Sequence, residues 1–143
     1  MAKFDITYRC GHTGTEDIQG PQKDRARKAE YAATKLCPAC FTTQQEATRR
    51  ETQEAAKSAN AADGLAALTG SEKQIAWAET LRADRLAAME AMLATYTQAP
   101  AELVAAIRTW ARQQTAATWW IDHRDLSIAN FVREAIVAVR AAQ

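Results

Sequence analysis

Cys10, His12, Cys37 and Cys40 are the residues whose types and spacing point most directly to chemistry. They comprise all three cysteines and one of the two histidines in a chain of 143 residues. They form a C-x-H pair and a C-x-x-C pair with 24 residues between them. Thiolates and imidazoles are the ligands zinc takes in a tetrahedron, and a short pair lets one tight turn present two ligands from a single stretch of backbone. Gly11 gives the first turn its conformational freedom. Pro38 fixes φ at a position suited to helix entry, which puts Cys40 in or near a first helical turn. Four ligands make a closed set, so the expected ion is structural, without the open position of a catalytic site. A mixed Cys and His set with no redox motif nearby favours Zn2+ over iron. Three cysteines cannot pair off completely, and a reducing compartment would keep them as thiols, so a disulfide framework is the weaker reading.

A second set of candidates is basic. Lys23, Arg25, Arg27 and Lys28, with Lys35 beyond them, make the most basic segment, and Arg49, Arg50 and Lys57 follow. Such side chains hold phosphates, which points to nucleic acid or a nucleoprotein complex as the partner. Asp24, Glu30, Glu46, Glu51 and Glu54 dilute the charge, so a solvated face or a protein-docking surface fits the same composition. Lys73 and Gln74 follow Ser71 into a first helical turn, where exposed backbone N–H groups favour an anion. The competing reading there is that Ser71 and Glu72 cap the helix, Trp77 packs and Lys73 is solvated. The stretch "WWIDHRDLS" holds Asp122, His123, Asp125 and Ser127, the ingredients of a hydrolase triad. Triad partners normally come from separate elements that fix their geometry, so crowding in one loop argues against catalysis. With no Gly-rich phosphate loop or paired-carboxylate motif in the sequence, the expected function is binding, not catalysis.

The elements that must position these residues are legible in outline. "KFDITYR" alternates, with Phe4, Ile6 and Tyr8 on one face, and "HTGTEDI" returns, predicting a β-hairpin with the Cys-Gly-His turn at or near its tip. A helix begins near Pro21. From Phe41 to about Asp63 the chain is helix-forming but polar all round, and Gly64 and Gly70 then mark a boundary. Ser71 opens a long amphipathic helix carrying Ile75, Ala78, Leu81, Leu86, Met89, Leu93 and Tyr96. Pro100 opens another, with Leu103, Ile107, Trp110, Gln114, Ala117 and Ile121 at near-helical spacing. A last helix after "DLS" carries Ile128, Phe131, Val132, Ala135, Ile136 and Val139 on one stripe, and the four tryptophans are the heavy core candidates.

The expectation is a mostly α protein in three parts: a zinc-binding hairpin and helix module over residues 1–45, a polar helix and linker over 46–70, and a three-helix bundle over 71–143. The first part resembles a zinc ribbon or treble-clef finger. "LTGSEKQIAWAETLRADRL" is similar to a G-S-x-K-Q-x-x-W-A-x-x-(I/L)-R signature in small uncharacterised bacterial, plasmid and phage proteins, some of which start with a C-G-H hairpin and a C-P-x-C knuckle. "WWIDHR" is similar to a W-W-I-D-x-R element that accompanies that signature. The resemblance implies a zinc-bearing protein of mobile elements or their hosts and brings no established activity with it. Beside a nucleic-acid partner, it leaves open a protein-interaction factor, an inhibitor or adaptor acting on a host complex, such as an anti-defence protein.

Composition sets the outer bounds. With 48% hydrophobic and 24% charged residues the chain reads as globular. A net charge of +1 supplies no global field, so any electrostatic role must come from a local patch. No run approaches the roughly 18 apolar residues of a membrane span, and "MAKFDITYRCGH" lacks the apolar stretch of a signal peptide. The expected compartment is the cytoplasm.

Overall fold

The computed structural model describes residues 2–142. Alternation in the first residues produces strands β1 (Ala2–Thr7) and β2 (Thr13–Ile18), paired antiparallel with Thr7 opposite Thr13. Residues 8–12 are left as the hairpin tip, so the C-x-H pair sits where the alternating pattern places it. Helix α1 (Gln22–Ala33) follows, with Pro21 at its N-cap. Helix α2 (Pro38–Ala62) begins on the proline of the C-x-x-C pair, where a missing N–H costs nothing. It then runs without a break through the whole polar stretch. Ile6, Tyr8, Ile18 and Cys37 are buried together, with Phe4, Ala29, Ala32 and Ala33 packed around them. This core is thin, since one face of a two-stranded hairpin and the alanines of α1 supply most of it.

The chain divides into two compact units, Met1–Arg50 and Glu51–Gln143, and the division falls inside α2. Asn60 is the one residue of α2 that is buried. The second unit contains α3 (Glu72–Leu93), α4 (Ala101–Arg112), α5 (Ala117–Asp122) and α6 (Ile128–Ala141). Ser71 begins α3 through a capping box: its hydroxyl accepts from the Gln74 amide at 3.4 Å, and the Gln74 side chain accepts from the Ser71 amide at 3.0 Å. Ser127 caps α6, accepting from the Asn130 amide at 3.3 Å. The core joins Ala78, Met89 and Leu93 of α3, Ile107 and Ala111 of α4, Trp120 of α5, and Phe131, Val132 and Ala135 of α6. Trp110, Trp119, Trp120 and Phe131 meet edge to face and stacked, with ring centroids 4.9–6.2 Å apart.

Two details depart from the sequence pattern. The apolar spacing from Pro100 to Ile121 suggests one helix, but the chain forms two, α4 and α5, separated at residues 113–116. There the Thr69 amide donates to the Thr115 carbonyl at 2.8 Å, and the Ala117 amide donates to the Thr69 carbonyl at 2.9 Å. The Trp120 indole N–H donates to the Gln114 carbonyl at 2.9 Å. The polar groups freed by breaking the helix are thus paired across to the linker, and the turn delivers Trp120 into the core. Close approach at this bridge requires Gly70, whose φ is +149° and where an added Cβ would lie 3.1 Å from that of Ala117. Trp77, one of the four tryptophans expected in the core, is instead 44% exposed, with the Arg124 guanidinium 5.7 Å from its ring centroid.

The second unit also buries a polar cluster that periodicity does not reveal. Asn60, Glu79 and Arg82 are all buried. Arg82 donates to the Glu79 carboxylate at 2.8 Å and to the Ala66 carbonyl at 2.7 Å, and the Asn60 amide donates to the same carboxylate at 2.6 Å. One turn further along α3, Arg85 donates to the His123 carbonyl at 3.1 Å and to the Arg124 and Leu126 carbonyls, closing the turn between α5 and α6. Among the described residues, no helix is long and apolar enough to cross a membrane.

Candidate metal centre

Two short backbone turns build the site. At the hairpin tip the Tyr8 amide donates to the His12 carbonyl at 2.9 Å and the Gly11 amide to the Tyr8 carbonyl at 2.8 Å. Gly11 has φ +81°, a left-handed conformation that a side chain would strain. The second turn leads into α2, where the Phe41 amide donates to the Cys37 carbonyl at 2.9 Å. A bond from the Arg9 amide to the Lys35 carbonyl at 2.9 Å ties the turns together. Sulfur atoms take part in the same framework. The Cys37 amide donates to Cys10 Sγ, and the Cys40 amide to Cys37 Sγ, each at 3.4 Å.

These turns bring Cys10, His12, Cys37 and Cys40 into one cluster, with a ligand atom from each lying within 4.8 Å of the others. His12 Nδ1 is 3.3 Å from Cys40 Sγ and 3.6 Å from Cys37 Sγ. Cys37 is buried, Cys10 and Cys40 are half-buried, and all three are free thiols. Amide donation from Cys37 and His12 brings the Cys10 thiol down to about 6, favouring its thiolate. Cys40 is pushed up to about 11, first by its hydrogen bond with Cys37 and then by burial. Without a cation the cluster therefore resists ionising all of its thiols together. A bound cation removes that conflict, and these four residues can hold a metal ion.

The basic candidates are dispersed. On α1, Arg25 donates to the Gly20 carbonyl at 2.9 Å and Lys28 to the Gln19 carbonyl at 2.7 Å, so both close the link between hairpin and helix. Arg27 pairs with Asp24 at 3.5 Å on the surface. Helical spacing puts Lys23 and Arg27 on one side and Arg25 and Lys28 on another. Arg49 and Arg50 are exposed at the end of the first unit. Lys73 is exposed in the second unit, while the Gln74 side chain is engaged in the capping box. Of the triad ingredients, His123 stacks on Trp119 at 4.0 Å and contacts the Glu134 carboxylate at 3.1 Å, and Ser127 caps α6.

Tyr31 and Phe41, both exposed, are residues that the sequence pattern did not single out as functional. The one signal for them was an aromatic on an otherwise polar helix surface at each position. The chain matches no protein-family model, no curated protein and no solved structure.

Proposed function

We propose that this is a non-enzymatic binding protein whose N-terminal unit is stapled by structural zinc and contacts nucleic acid, alone or within a nucleoprotein complex. The ligand set carries the choice of metal. A zinc tetrahedron with Zn–S of about 2.3 Å and Zn–N of about 2.0 Å has S···N edges of about 3.6 Å. The corresponding separations here are 3.3 and 3.6 Å. With four protein ligands no position is left for substrate, and the thin core of this unit explains the need for a staple. A reducing cytoplasm is the compartment that suits three unpaired thiols.

Charge supports the partner. Residues 1–50 carry nine Lys and Arg against six Asp and Glu, whereas residues 51–143 carry nine against eleven. The near-neutral total hides a basic N-terminal unit, whose excess of positive charge, though dispersed, favours an anionic partner. A second reading, a protein adaptor or inhibitor from a mobile element as the resemblance implies, is favoured by the exposure of Trp77 and Val137 in the other unit.

Binding to generic oligonucleotides across a salt series separates the two. Phosphate binding predicts a linear fall of log affinity with log salt. Substitution of Lys23, Arg27, Arg49 and Arg50 by Ala should lower the slope by about 1 for each phosphate no longer neutralised. Absence of binding at low salt would sink the nucleic-acid reading.

A further inference from the structure

The zinc-bearing unit carries a groove that its fold does not fill. It has a volume of about 650 Å³ and is lined by Tyr8, Arg9, Tyr31, Lys35, Phe41 and Gln44, among others. Tyr31 is 64% and Phe41 52% exposed, so two large aromatic side chains of a unit short of core material are left in solvent. A second groove of about 660 Å³ shares Phe41 and Gln44 and reaches Arg49 along α2. Together they make a track that presents the aromatics Tyr31 and Phe41 alongside the cations Arg9, Lys35 and Arg49.

We propose that this track binds a single-stranded nucleic acid, with unpaired bases stacked on Tyr31 and Phe41 and phosphates held by Arg9, Lys35 and Arg49. The proposal rests on the nucleic-acid reading above and names the form that is bound. Aromatic faces are useful to a nucleic acid only where bases are unstacked, because a duplex hides its base faces. Lys35 holds its ammonium 4.4 Å from the Tyr31 ring centroid, so cation and aromatic platform are presented together. Two carboxylates line the track against three cations, and one of them, Glu16, accepts the Tyr8 hydroxyl at 2.7 Å, while Glu46 lies on the second groove. The aromatic walls would also suit an apolar peptide, but the cations along the track and the positive charge of the whole unit complement an anionic chain.

The test uses the full zinc-loaded protein and fluorescein-labelled oligothymidine of about 12 nucleotides, within the site sizes of single-strand binders, beside a duplex of equal length. The single strand should bind at least about tenfold tighter than the duplex, and Tyr31→Ala or Phe41→Ala should weaken it about 5- to 150-fold, the worth of one base stack. Tyr31→Trp should restore binding, and the salt slope should be unchanged in all aromatic variants. Phe41 neighbours a metal ligand, so Tyr31→Ala, on α1, keeps the test decisive if Phe41→Ala loses zinc. Equal binding of both forms, insensitive to the aromatic variants, would overturn the groove while leaving the nucleic-acid reading standing. Failure to bind either oligonucleotide at low salt would overturn both, and capture of an acidic peptide in that case would identify the groove as a peptide site.

Discussion

A candidate metal ligand and a basic side chain tied to a backbone carbonyl differ in how much of their role spacing alone can reveal. Cys10, His12, Cys37 and Cys40 were legible because each pair works through its own turn, with Gly11 and Pro38 marking the backbone geometry. Arg25 and Lys28 were legible as charge but not as ties to the Gly20 and Gln19 carbonyls, since that bond depends on where the hairpin delivers its exit. Tyr8 was legible only as an inward-facing strand residue. Its hydroxyl donates to Glu16 at 2.7 Å, and that bond followed by burial raises it from 10.0 to about 12. The folded value lies above the unfolded one, so the stabilisation is complete below about pH 10 and is lost as pH rises through about 12. Zinc-loaded Tyr8→Phe should therefore be less stable than the parent at pH 8 and should lack this tyrosine's share of the alkaline decline. Urea unfolding followed from pH 8 to about 12 checks this. An identical decline in both proteins would remove the Glu16 bond as a source of stability.

Elements were legible where their signals are local and illegible where tertiary pairing decides. Ser71, the Pro21 and Pro38 entries and the stripe of α6 specify their helices from nearby residues. The break between α4 and α5 has no Gly or Pro to announce it, and it is held open by the bonds of Thr115 and Ala117 to Thr69, far away in sequence. The buried Asn60, Glu79 and Arg82 cluster was equally invisible, because charged residues three apart on a helix read as a solvated pair. It joins α2 to α3 with side chains that are 2% exposed for Arg82 and 6% for Glu79. Glu79→Ala leaves a buried guanidinium without its carboxylate and should destabilise the second unit by about 3–5 kcal/mol in urea unfolding. Replacing Glu79 and Arg82 together by Leu and Met should cost much less, since the isolated charge is what makes the single change severe. A cost below about 1 kcal/mol for Glu79→Ala would show that the pair is solvated in the working protein.

The whole molecule has one unit with a Cys and His cluster and little core, and a helical unit with a core of its own. The mostly α architecture and the leading hairpin were legible because hydrophobic periodicity changes along the chain from two to near 3.6. The partner was not, because a surface such as the one proposed at Tyr31 and Phe41 is defined by what the fold leaves uncovered. Since the two cores share no buried residue, the metal should govern only the first. The most direct measurement is elemental analysis of protein purified without added metal, with amide NMR spectra recorded before and after chelation. We expect about one zinc per chain, none in Cys37→Ser/Cys40→Ser, and loss on chelation of the dispersed signals from residues 1–50 while those from the α3–α6 core persist. Zinc far below one equivalent, with the N-terminal spectrum unchanged in the double Ser variant, would contradict the account.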